Sequence, residues 1–322
     1  LVSQCCRHLP VPGYGQRRLR GPVQHHHGQP GHPVTFDFYQ STLPGRWPVV
    51  IVIPVWGISN YPSTKIAKAI RNKSDGTFHV FHMRGDTHLL DWELLGDARS
   101  EEEFLAAWHE SVERERATVI DIRRLIDWAE ERPEIDADRI GLIGFSHSAM
   151  LAATLAVNEP RIAATVLAFG GARPHEIVAR CDGLRTSGLR EKVAREFGWS
   201  LEEYERRLEP IFRVMDPAQY PARVDPASVL LFEAEEDTCI SRGSREALCA
   251  AMGMPERYTI DANHRGAFLT MTPLYFNWLR LRVWEFFNHT LADEGRRHDL
   301  EADVRRSRAT EARSVRALGS GN

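Results

Sequence analysis

The chain has 322 residues, of which 43% are hydrophobic and 26% charged, with 41 basic and 44 acidic side chains and a formal charge of -3. Near-neutral charge removes any bulk electrostatic case for nucleic acid or a polyanionic substrate. A mean hydropathy of -0.36, with no apolar run long enough to span a bilayer, removes a membrane helix, and collagen, coiled-coil and disordered classes fail on composition.

Residues 1–33 carry Arg7, Arg17, Arg18 and Arg20, five histidines, repeated Gly and Pro, and no acid. No continuous apolar stretch reads as a secretory signal, so a cytoplasmic location is the expectation. The segment is read as a disordered or non-native extension. His25, His26, His27 and His32 have donor chemistry for a transition metal, but an unpacked extension accounts for them and no metal site is expected.

From 34 to 292, short apolar runs alternate with helical patterns, as in a mainly parallel sheet flanked by helices. Val34–Tyr39 alternates like an edge strand, and the β-branched run Val49–Ile53 suits a strand buried on both faces. A helix over about 63–71 leads to a strand at Phe78–Met83 and a turn at Gly85-Asp86. A helix over roughly 111–131 shows an apolar face of Val119, Ile122, Leu125, Ile126, Trp128 and Ala129, ending before Pro133. Then come a strand at Ile140–Ile143, a small-residue helix at Ala149–Val157 and a strand at Ala164–Phe169. Strands at Val229–Phe232 and Tyr258–Ile260 flank a helix over about 244–252, and an aromatic-rich helix over Leu274–Phe287 closes the unit. Residues 173–225 show no strand signal and two helical patterns. This is a helical insertion, either a lid over a site at the carboxyl edge of the sheet or a structural excursion. Residues 293–322 alternate acids and arginines and read as a charged, disordered tail.

Cys5, Cys6, Cys181, Cys239 and Cys249 form an odd, scattered set without CxxC spacing, so neither a metal site nor a disulfide framework is expected. A Cys239–Cys249 bridge stays open. For Cys239, a small buried residue near a strand end is preferred over a reactive thiol.

The informative stretch is Ile140-Gly-Leu-Ile-Gly144-Phe145-Ser146-His147-Ser148-Ala149. A strand runs into Gly-x-Ser-x-Ser and then a helix. Such a turn holds a serine hydroxyl clear of the sheet and tolerates only small neighbours, here Gly144 and Ser148. The helix that follows points its first amides at developing negative charge. A nucleophilic serine needs a base, and the base needs an orienting acid. Asp237 follows the strand Val229–Phe232, and His264 follows the strand Tyr258–Ile260. Each of the three stands at its own strand–loop junction.

These stretches, together with Asp121-Ile-Arg-Arg-Leu-Ile-Asp-Trp leading into the elbow, resemble the α/β-hydrolase superfamily over about residues 34–290. The similarity is to its esterase, dienelactone-hydrolase and prolyl-oligopeptidase-like branches. It implies Ser146 as nucleophile, His264 as base and Asp237 as orienter. Dienelactone hydrolases carry a cysteine nucleophile, which this elbow lacks. The resemblance also implies an oxyanion hole made by the amides of His147 and of Val55 or Trp56, with Trp56 preferred, in a loop where many relatives have His-Gly. Val55, Phe145 and Asp86 are candidate substrate contacts, and Trp56, His147, Trp199, Tyr204 and Phe212 are candidate pocket walls. His79 and His82 are read as packing or solvent-facing, and Arg84–His88 as a turn. The function implied is hydrolysis of small carboxylic esters through an acyl-enzyme, without metal or organic cofactor. A peptidase or acyl transferase using the same three groups, and a non-catalytic ligand-binding member of the fold, are the alternatives. The peptidases it resembles carry a large N-terminal domain that residues 1–33 cannot form.

Overall fold

The computed structural model describes residues 14–21, 34–54, 61–83, 90–220, 223–275 and 277–292. Its eight strands are β1 (Tyr14–Gly21), β2 (Val34–Ser41), β3 (Trp47–Val52), β4 (His79–Met83), β5 (Ile135–Phe145), β6 (Ile162–Ala168), β7 (Val229–Ala234) and β8 (Glu256–Ile260). They form one sheet in the order β1-β2-β4-β3-β5-β6-β7-β8. From β4 to β8 every neighbouring pair is parallel; β1 and β2 are joined antiparallel at one side.

The helices are α1 (Tyr61–Lys73), α2 (Trp92–Asp97), α3 (Glu101–Glu130), α4 (His147–Asn158), α5 (Pro174–Arg180), α6 (Leu184–Phe197), α7 (Leu201–Phe212), α8 (Arg242–Ala251), α9 (His264–Ala267) and α10 (Trp278–Thr290). Strand alternation assigns the two faces of the sheet. Val49, Ile51, Ile140, Leu142, Val229 and Leu231 pack with residues of α3, α4 and α8. Val50, Val52, Ile143, Phe145, Leu230 and Phe232 pack with residues of α1 and α10 on the other side. A two-sided core of this kind explains the continuous apolar runs in β3 and β7.

Four readings of the sequence are corrected. Residues 14–21 lie inside the segment read as an unstructured extension, yet they form β1 and pair along the length of β2. The strand read as an edge therefore has a neighbour on each side, and its outer amides and carbonyls are satisfied by β1. Helix α3 starts ten residues before the expected position. Ser100 caps it, accepting from the Glu103 amide at 3.1 Å, and Glu101, Glu102 and Glu103 occupy its first turn, favourable to the helix dipole. The Ser-x-x-Glu spacing is the signal in the sequence that marks this start. The final helix begins at Trp278, because Phe268–Met271 and Pro273–Tyr275 form 3-10 turns before it.

The fourth correction concerns the insertion. Trp199, Tyr204 and Phe212 are 5%, 0% and 2% exposed, so they are not pocket walls. They pack with Phe104 and Trp108 of α3 as one aromatic cluster. Arg207 stacks over Trp199 at 4.5 Å and bonds Glu101, which also accepts from the Trp199 indole. Burial of several large rings is worth about 1.5–3 kcal/mol each, enough to make these helices a packed layer on α3.

His79 and His82 are also core residues, 0% and 1% exposed. His79 accepts the Ser41 amide at Nδ1, which leaves the proton on Nε2 to donate to the Glu134 carbonyl. Burial, partly offset by Glu134, holds its pKa below the usual histidine value. Among the described residues no helix is long and apolar enough to cross a membrane.

Asp121 in α3 has one buried carboxylate oxygen without a hydrogen bond among the described residues. Burial pushes its pKa up to about 6, against the charge of Arg124. A carboxyl whose folded pKa is raised binds its proton more tightly when folded, so ionising it costs stability as pH rises through that value. Asp121→Asn is expected to exceed the wild type in stability by about 1–2 kcal/mol at about pH 8, and to match it near pH 3.5. Urea unfolding at both pH values checks this; equal stabilities at the higher pH would refute it.

Candidate active site

Strand β5 ends at Phe145 and α4 begins at His147, leaving a single residue for the turn. Ser146 takes φ 52° and ψ -121°, a conformation that costs a non-glycine residue about 1–3 kcal/mol. The turn is held from both sides. The Ser146 amide donates to the Ala168 carbonyl at 2.8 Å, and the Ser146 carbonyl accepts from Ala149 at 2.9 Å. A Cβ on Gly144 would lie 2.6 Å from the Ser148 carbonyl carbon, and one on Gly170 would lie 2.6 Å from Ala149 Cβ. Only glycine lets helix and strands approach this closely.

Ser148 stands where a second glycine is commoner, and its hydroxyl explains why it fits. It is fully buried; Oγ accepts the Phe145 amide at 2.8 Å and donates to the Phe145 carbonyl at 2.9 Å. The hydroxyl laces the elbow shut. Ser146, by contrast, begins α4 without a side-chain capping bond. Its hydroxyl is engaged elsewhere.

That partner is His264, whose Nε2 lies 2.9 Å from Ser146 Oγ. His264 Nδ1 lies 2.6 Å from Asp237 Oδ2. The carboxylate can only accept, so the ring proton sits on Nδ1 and Nε2 is free to accept from Ser146. Asp237 Oδ1 accepts the amides of Cys239 at 2.9 Å and Ile240 at 2.8 Å, which fixes the carboxylate with its side chain 1% exposed. The loops carrying acid and imidazole are tied together. The Glu235 amide donates to Ile260 at 2.8 Å and the Glu236 amide to Ala262 at 3.1 Å. Asn263 caps the turn that begins with His264, and Phe268 packs edge-on against its ring. Buried Arg245 braces the same loop by donating to the carbonyls of Ala234 and Glu235. The three groups expected to act together thus lie in hydrogen-bonding contact at the carboxyl ends of β5, β7 and β8.

Other expectations fare differently. Phe145 is 0% exposed and packs among Val166, Phe232 and Phe287, so its side chain belongs to the core and is not a substrate contact. The alternating pleat turns it away from the turn that presents Ser146. Val55, Trp56 and Asp86, with the turn at Arg84–His88, lie outside the described residues. Cys239 is neither a free thiol nor bonded to Cys249. It forms a disulfide with Cys181 at the end of α5, and Cys249 is free and buried. The bridge spans 58 residues and encloses α6 and α7. It was invisible in spacing because the partners meet only after the insertion folds back over α4. Among the described residues no group of three or more His, Cys, Asp or Glu side chains is placed to hold a metal.

One partner was missed. His147 Nε2 lies 2.9 Å from Glu115 Oε1, in the middle of α3 and 3% exposed. Its sequence signal is an acid on the apolar stripe Trp108, Val112, Ile122 and Ile126.

A family model described as the dienelactone hydrolase family matches residues 36–183. That span holds Ser146 and stops before Asp237 and His264. No curated protein matches the chain significantly in sequence. Among solved structures, an acetyl xylan esterase from Paenibacillus sp. R4 is similar with TM-score 0.55 and 16% identity, covering 87% of this chain and 86% of that one. A 2,6-dihydroxy-pseudo-oxynicotine hydrolase gives TM-score 0.56 and 15% identity over 86% of this chain and 68% of the other. The isopeptidase AtxE2 gives TM-score 0.56 and 18% identity over 94% of this chain and 44% of the other. At these identities the likeness is one of fold.

Ser148→Ala keeps the elbow's volume but leaves the buried Phe145 amide unpaired, a loss of about 1–3 kcal/mol. A lower denaturation midpoint of that size is the expected result, and unchanged stability would show that the hydroxyl does not hold the turn.

Proposed function

We propose that this chain, which has the α/β-hydrolase fold and resembles the dienelactone hydrolase family over residues 36–183, is a serine hydrolase of carboxylic esters. The observation that carries the reading is the continuous hydrogen-bonded line from Ser146 Oγ through His264 to Asp237. Ser146 attacks the ester carbonyl while His264 Nε2 takes its proton. Asp237 holds the ring in the required tautomer and offsets the charge the ring gains. The protonated His264 then gives the proton to the leaving alcohol, and the same nitrogen activates water to release the acid from Ser146. Neither step calls on a metal or organic cofactor.

The tetrahedral oxygen needs donors in place before it forms. The first amide of α4, that of His147, has no partner within its own helix and faces the turn at Ser146. The second donor is assigned to the loop containing Val55 and Trp56, with Trp56 preferred. A small-molecule ester is the substrate class, as the esterase names among the structural relatives suggest for those proteins. The likeness to an isopeptidase supports a second reading, amide cleavage by the same groups. Paired p-nitrophenyl acetate and p-nitroanilide substrates separate the two.

Ser146→Ala is expected to lower kcat/KM on short p-nitrophenyl esters by ~10⁴-fold or more and to abolish labelling by a fluorophosphonate probe. Asp237→Asn is expected to lower kcat by ~10⁴-fold, since the amide favours the wrong tautomer. Full esterase activity in Ser146→Ala would exclude the mechanism.

A further inference from the structure

A carboxylate in the middle of a helix is costly to bury unless it is paired. Glu115 is such a group, and its pairing partner is the side chain of the residue that follows Ser146. The His147 side chain is 18% exposed, and its second nitrogen, Nδ1, is buried without a hydrogen bond among the described residues. Glu115 is therefore the only described polar anchor of that ring. Its neighbours on α3 turn away from it. Arg114 bonds Glu110 and approaches Asp91, and Arg116 bonds Glu113. Helix α4 carries no acid or base after His147. Of the other ionisable groups described at this end of the sheet, His264 and Asp237 are committed to each other and to Ser146, and Arg245 donates to the carbonyls of Ala234 and Glu235. Arg173 pairs with Glu176, and Glu235, Glu236 and Arg265 are exposed on the loops after β7 and β8.

The geometry points to Glu115 as a positioning residue: by holding the His147 ring it fixes the peptide that joins His147 to Ser146 and keeps a positive charge beside the reacting oxygen. This rests on the reading of Ser146 as nucleophile and of the His147 amide as an oxyanion donor. A cation at a helix N-terminus opposes the helix dipole, so a charged His147 requires a compensating anion. Burial lowers the pKa of His147, while the charge and hydrogen bond of Glu115 raise it, and the balance lies above the usual histidine value. Held at the start of α4 with its side chain 18% exposed, the imidazolium favours negative charge developing at the adjoining Ser146. A group with a raised folded pKa contributes its stabilisation below the unfolded value and loses it as pH rises through the folded value. Activity should follow the same course, falling on the alkaline side as His147 loses its proton.

The test compares wild type with Glu115→Gln, which keeps the shape but removes the charge. The variant is expected to show about a tenfold lower kcat with KM within about twofold, and an alkaline limb of kcat displaced to lower pH. NMR titration of the His147 ring reads the pair without reference to turnover; its midpoint should fall in the variant. His147→Gln covers the case in which Glu115→Gln does not fold, and it should lack that alkaline limb. An unchanged pH profile and kcat in Glu115→Gln, or retention of the wild-type limb in His147→Gln, overturns the proposal. Fluorophosphonate labelling of wild-type Ser146 separates the two levels. A labelled serine with no effect of Glu115 refutes only the positioning role, whereas an unlabelled serine refutes the hydrolase reading itself.

Discussion

The backbone of Ser146, held at positive φ between β5 and α4, is the constraint on which the rest of this structure depends. One residue turns the chain from strand to helix, and the turn closes only because Gly144 and Gly170 have no side chains. The conformation is unfavourable in isolation and persists because the Ala168 carbonyl, the Ser148 hydroxyl and the first turn of α4 all hold it. Helix α4 is buried along almost its whole length, so it cannot rotate to relieve the strain. The result is a hydroxyl projected from the carboxyl edge of the sheet with no capping duty.

Parallel pairing converts this local geometry into a site. Strands β5, β6, β7 and β8 are neighbours in one direction, so their following loops emerge at the same edge. The acid and imidazole loops are also stitched to each other by backbone bonds. Asp237 is fixed by two amides, one of them from Cys239, and that residue is cross-linked to the end of α5. The loop bearing the acid is thereby connected covalently to the inserted helices.

Helix α3 joins the same parts from beneath. Its carboxyl half packs on the sheet, and its amino half carries the aromatic cluster shared with α6 and α7. Glu115 lies between these two regions and reaches His147. The insertion forms a second layer seated on α3, with its large rings packed against Phe104 and Trp108.

Much of this was legible before folding. Continuous apolar runs marked β3, β5, β6 and β7, because strands buried on both faces can hold little else. Strand, small residues, serine, small residues and helix marked the elbow, because that backbone excludes bulk. Asp237 and His264 could be paired with Ser146 because each followed a strand of the same sheet, so topology alone brought them together. Strand β1 was not legible: its polar, arginine-rich run lacks any strand period and is ordered by pairing with β2. Phe145 looked like a pocket residue from its place beside Ser146, and the pleat sends it to the core. The Cys181–Cys239 bridge and the Glu115–His147 pair join residues 58 and 32 positions apart. Such contacts depend on how α3, α5 and the insertion pack, and no local pattern encodes that. Local sterics and hydrophobic period were therefore determined by the residues themselves, while the partners of charged and sulfur groups were decided only by tertiary packing, because pairing requires proximity and proximity belongs to the folded chain.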